Sequence, residues 1–115
     1  MSGFLVGCVP TAEDRVRTEF GIGAHDVIGT NEIRAAILKF IPIGTPEEKV
    51  LEDLRRRTEA DKLFTVSIDE NQINCRIGYD PRSFGVVKTS YLIQFLLDAQ
   101  RSLRDVQIKE WLTGP

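Results

Sequence analysis

Apolar positions recur at helical spacing in the first half of the chain and at a spacing of two in the second, which predicts helices followed by a sheet. Thr30-Asn31 supplies a cap ahead of Ile33, Ala36, Ile37 and Phe40, the i, i+3, i+4, i+7 stripe of an amphipathic helix, and Pro42 ends it. Thr45-Pro46-Glu47-Glu48 reads as a second helix start: Thr45 accepts from the first turn, Pro46 has its φ preset, and Glu48 completes a capping box. Val50, Leu51 and Leu54 form the buried side of that helix. Glu47, Glu48, Glu52 and Asp53 precede Arg55, Arg56 and Arg57, the order that suits the helix dipole. The triple arginine reads as a solvated last turn rather than an anion site.

From Phe64 the period becomes two. Phe64, Val66 and Ile68 alternate with Thr65 and Ser67, Asp69-Glu70-Asn71-Gln72 makes a turn, and Ile73, Cys75, Ile77 and Tyr79 alternate with Asn74, Arg76 and Gly78. Residues 82–88 read as a loop. Tyr91, Ile93, Phe95 and Leu97 then mark one face of a third strand, whose opposite face carries Leu92 and Leu96. After a turn at Ala99-Gln100-Arg101-Ser102, a last strand carries Leu103, Val106, Ile108 and Trp111. The predicted class is α+β, with two helices packed on one face of a three- to four-stranded antiparallel meander. With helices on one side only, Leu92 and Leu96 need a second cover: segment 61–72, segment 82–88, another copy of the chain or a partner protein.

The first thirty residues follow a different pattern. Leu5-Val6-Gly7-Cys8 ends a short apolar run and resembles the lipobox of a bacterial lipoprotein signal, in which small residues fit an extended chain into the peptidase and the cysteine thiolate accepts diacylglycerol. The resemblance implies lipidation at Cys8, with the basic head of the signal missing. Thr11 with Asp14 starts one transient helical turn that carries Val16 and Phe20, in a stretch loosened by Gly21, Gly23 and Gly29. The organisation expected is a truncated signal and lipobox over 1–8, a flexible tether over 9–30, and a single α+β domain over 31–115.

Composition narrows the chemistry. At 115 residues and 42% hydrophobic, the chain supports one modest core. Lys+Arg 15 against Asp+Glu 17 leaves no basic excess, which argues against a nucleic-acid partner. The single histidine, His25, and two cysteines, Cys8 and Cys75, are too few for most metal cages, and no cofactor or catalytic residue is expected. Cys75 shares a face with Ile73 and Ile77 and reads as a small core residue, although a Cys8–Cys75 disulfide is the alternative in an oxidising compartment. Asp80, Asp98 and Asp105 lack the spacing of a calcium loop, and Asp80 and Asp98 read as turn chemistry. For protein binding, Trp111 with Tyr79 and Arg76 nearby is the expected anchor, joined by Leu92 and Leu96, because Trp, Tyr and Arg dominate interface energies.

The step Ile43-Gly44-Thr45-Pro46-Glu47-Glu48-Lys49-Val50 between two helices, followed by Tyr91-Leu92-Ile93-Gln94-Phe95 and Leu103-Arg104-Asp105-Val106, resembles the small bacterial lipoproteins of the SmpA/OmlA (BamE-like) group over about residues 31–112. That resemblance implies a two-helix-plus-sheet domain supporting outer-membrane protein assembly, with another envelope protein or a second copy as partner. It also implies attachment to the membrane through a lipid on Cys8. Val9, which is not aspartate, implies sorting to the periplasmic side of the outer membrane. The same design is similar to β-lactamase inhibitor protein modules, which implies the alternative of a soluble inhibitor or immunity-type protein gripping its partner through the sheet.

Overall fold

The structure is a computed structural model that describes residues 11–26, 28–60, 63–78 and 88–113. Its first helix, α1 (Ala12–Phe20), has a reciprocal capping box: the Asp14 amide donates to the Thr11 hydroxyl and the Thr11 amide donates to the Asp14 carboxylate, each at 3.0 Å. Gly21 ends it in the left-handed conformation at φ 68°, where a side chain would be strained. Ala12, Val16 and Phe20 lie one turn apart and are all buried. This corrects the expected tether over 9–30: its described residues open with a capped helix whose apolar stripe is core. The domain therefore has three helices rather than two.

Helix α2 (Thr30–Phe40) buries Ile33, Ala36 and Ile37, and stops before Pro42 as the sequence predicts. Its N-cap position is Gly29, with no side-chain cap, so Thr30 is helical rather than capping. Phe40, the last member of the expected buried stripe, is 52% exposed. Helix α3 (Glu47–Ala60) buries Val50 and Leu54. The Thr45 hydroxyl ahead of it donates to the Pro42 carbonyl at 2.6 Å.

Four strands, β1 (Phe64–Asp69), β2 (Gln72–Ile77), β3 (Lys88–Leu97) and β4 (Leu103–Thr113), pair antiparallel in chain order, so the sheet is a meander and the α+β class holds. The inner face carries Phe64, Ile73, Cys75, Ile77, Tyr91, Ile93, Phe95, Leu97, Leu103 and Val106, all buried against the helices. Helix α2 lies on β4, α1 on β2 and β3, and α3 on β1. The expected cover of Leu92 and Leu96 by segment 61–72 is corrected as well. Residues 64–69 are edge strand β1 and residues 72–77 are β2, lying in the plane of the sheet. The 82–87 part of the other proposed cover lies outside the described residues.

One loop contact ties the ends of these layers together. The β3–β4 connection, residues 98–102, is a hairpin turn closed by the Asp98 amide donating to the Ser102 carbonyl at 2.8 Å. The Asp98 carboxylate accepts from the Gln100 and Ser102 amides, and Arg101 sits at φ 63°, a place usually taken by Gly or Asn. The Arg101 guanidinium grips both Glu47 oxygens, at 3.1 and 2.5 Å, and donates to the Glu70 carbonyl at 2.6 Å. It thereby joins the start of α3 to both hairpin tips. Around it, Leu103 N–H donates to Thr45 O and Gly44 N–H to Leu103 O. The residue carries a backbone strain that glycine lacks and a side-chain clamp that alanine lacks. Thermal unfolding is therefore expected to rank wild type above Arg101→Gly and Arg101→Gly above Arg101→Ala.

Candidate functional site

The other face of the sheet has no described helix on it. The register sets its residues in rows across the strands: Asp69, Gln72, Leu96 and Asp105, then Ser67, Asn74, Gln94 and Gln107, then Thr65, Arg76, Leu92 and Lys109. Ser90 and Trp111 form the next row. The two leucines stand two residues either side of Gln94 on the central strand β3, and apart from them and Trp111 these rows are amides, hydroxyls and a few charges.

Of the expected binding residues, the structure brings Arg76 and Trp111 together: the guanidinium lies over the indole, 6.0 Å from its centroid. Leu92 is the cross-strand partner of Arg76, and Leu96 lies further along the same face. Trp111 is on the open face and 43% exposed, whereas Ile108 of the same strand turns toward the core. Tyr79 and Cys8 lie outside the described residues.

Among the candidate chemical groups, Cys75 is a free thiol that is completely buried, and that burial pushes it up to about 12. Burial likewise raises the Tyr91 phenol to about 12, helped by the nearby Glu110 and Glu13 carboxylates. His25 is exposed in the turn after α1. Asp98 holds its own turn. Among the described residues no three His, Cys, Asp or Glu side chains group closely enough to hold a metal ion, and no helix is long and apolar enough to cross a membrane.

Asp105 is occupied elsewhere. The Arg34 guanidinium of α2 reaches the rim of the sheet, donating from Nη2 to Asp105 Oδ1 at 2.6 Å and from Nε to the Val106 carbonyl at 3.1 Å. This pair, like Arg101–Glu47, joins residues about seventy and fifty positions apart, and nothing local in the sequence points to it.

Both pairs leave a titration signature. Hydrogen bonds from Arg101 hold the Glu47 carboxyl below its ordinary range, and Arg34 with the Val106 amide does the same for Asp105. A folded-state pKa lowered in this way contributes stability that is fully present above the unfolded-state value and lost as pH falls through the folded one. Urea midpoints are therefore expected to hold steady near neutrality and decline on the acid side of the normal carboxylate range. Glu47→Gln should flatten that decline.

Comparison of the chain with family models, with curated proteins and with solved structures gives no match.

Proposed function

We propose that this protein is a non-catalytic binding module of the bacterial cell envelope. It grips another protein through the open face of its sheet and is held at the periplasmic side of the outer membrane by a lipid on Cys8 in the natural precursor. The observation that carries the binding part is the gathering of Trp111, Arg76, Leu92 and Leu96 on a sheet face that no described helix covers. A broad indole and a planar guanidinium, rigid on a sheet and set among adaptable amides, have the chemistry of an interface centre. The anchoring part rests on the lipobox resemblance at Leu5-Val6-Gly7-Cys8.

The two parts are tested separately. The immobilised full chain is expected to retain one envelope protein at a fixed stoichiometry. Trp111→Ala should weaken that complex by about 30-fold or more, while the monomer melts close to wild type. A complex indifferent to Trp111→Ala would place the interface elsewhere. For the anchor, the gene expressed with its upstream codons should yield a cleaved product whose intact mass includes acyl chains on Cys8. An uncleaved, unacylated product removes the anchor and leaves the soluble inhibitor or immunity-type reading, which uses the same sheet face.

A further inference from the structure

The two rims of the sheet are finished differently. The Gly78 amide donates to the Leu63 carbonyl at 3.0 Å, so by antiparallel alternation Thr65, Ser67 and Asp69 turn their backbone groups toward β2. Phe64, Val66 and Ile68 consequently turn theirs outward. At the far rim, the Leu97 amide donates to Asn71, and the same alternation leaves Val106 and Ile108 of β4 facing outward. There Arg34 covers part of the rim, taking the Val106 carbonyl and pairing with Asp105. Among the described residues no side chain reaches the outward groups of β1. Its sequence, Phe64-Thr65-Val66-Ser67-Ile68-Asp69, contains none of the lysines or prolines that usually blunt an edge. Ile68 lies on the helix side of the sheet yet is 53% exposed, so α3 leaves that end of β1 open.

We propose that β1 is a self-pairing edge, joining the sheets of two copies of this chain antiparallel about a two-fold axis at Ser67. The strand is complementary to itself in that register. Val66 falls opposite Ile68 of the partner subunit and exchanges both backbone hydrogen bonds with it, and the exposed isoleucine gains a β-branched cross-strand neighbour. Thr65 falls opposite Asp69 of the partner subunit, so no like charges meet. Because Ser67 faces its own counterpart, both helical layers stay on one side of the joined sheet, with the open faces continuous on the other. A pair of six-residue strands buries less than the roughly 1,200 Å² of a stable interface, so the dimer is weak and concentration-dependent. The surface used is the rim, so this inference stands apart from the open-face reading above.

Sedimentation equilibrium on the full chain carrying Cys8→Ser is expected to show a reversible monomer–dimer equilibrium. Ile68→Lys should raise its dissociation constant by about tenfold or more with an unchanged circular dichroism spectrum. In the same background, oxidised Ser67→Cys should cross-link into dimers. Thr65→Cys should not, because the two copies of that position lie roughly 13 Å apart along the strands. If Ile68→Lys fails to fold, the contrast between the two cysteine variants decides alone. A chain that stays monomeric at every concentration, a dimer untouched by Ile68→Lys, or equal cross-linking at both positions would overturn the proposal. So would an edge that takes up only an extended segment of another protein.

Discussion

Phe20→Ala is expected to lower the free energy of unfolding by about 3–5 kcal/mol, the loss usual for a fully buried aromatic side chain in a well-packed core. Phe20 is 1% exposed at the end of α1, and with Ala12 and Val16 it packs that helix on β2 and β3. The substitution removes the ring on which the guanidinium of Arg57 rests, 5.1 Å from its centroid, so the lost volume and the lost contact add. Chemical denaturation of the full chain measures the effect. Were the segment a loose tether, the same substitution would change stability by no more than about 0.5 kcal/mol, the figure for an ordinary surface position.

The second large effect is expected at Arg57. Its side chain is 15% exposed and sits among three helices. It pairs with Asp53 at 2.8 Å, donates to the Glu19 carbonyl at the end of α1, lies 3.4 Å from the Glu19 carboxylate, and covers the rings of both Phe20 and Phe40. Arg57→Ala therefore leaves the shielded Glu19 carboxylate without a close partner, leaves Asp53 with Arg56 alone, and uncovers two aromatic rings. A loss of about 3 kcal/mol is expected, the lower end for removing one member of a largely buried pair. Arg57→Lys should fall between wild type and alanine, since an ammonium keeps the charge but has no planar fork to lie over two rings. Arg56, its neighbour, is 71% exposed and touches only Asp53, so Arg56→Ala should cost about 0.5 kcal/mol or less. Equal effects at the two positions would show that Arg57 does not organise the helices.

That contrast marks where local pattern stops being informative. Three consecutive arginines after an acidic turn look alike in the sequence, and all three were expected in water. Only the approach of α1 and α2 distinguishes Arg57 from Arg55 and Arg56. Phe40 is the counterpart. Its spacing matches the apolar stripe of α2, but it lies at the last turn, past the edge of the core, and is partly shielded by the same guanidinium. Helix α1 was more legible than the tether reading allowed. Thr11 with Asp14 is a complete capping box, and Ala12, Val16 and Phe20 repeat every four residues, yet a nine-residue helix is too short to persist alone and needs the sheet beneath it.

The sheet was the easiest part to read, because alternation leaves little choice. Phe64 to Ile68, Ile73 to Ile77 and Tyr91 to Leu97 place their apolar members inward as the spacing requires, and Leu92 and Leu96 fall on the opposite face. In β4 the period is interrupted. The register shifts between Leu96 and Leu97, Arg104 is extra, and Leu103 and Val106 share the inner face although three residues apart. The odd positions after the bulge then face outward, which is how Trp111 reaches the open face beside Arg76. A sequence reading that carries Leu103, Val106, Ile108 and Trp111 along one strand does not reveal that change of side.

Trp111 is the only tryptophan in the chain, so its fluorescence tests the open sheet face with no labelling. In the free, folded protein its emission is expected to be red-shifted and readily quenched by acrylamide, as befits a half-exposed indole with no described helix above it. Blue-shifted emission shielded from acrylamide in the monomer would contradict it, because the face would then already be covered by the chain itself.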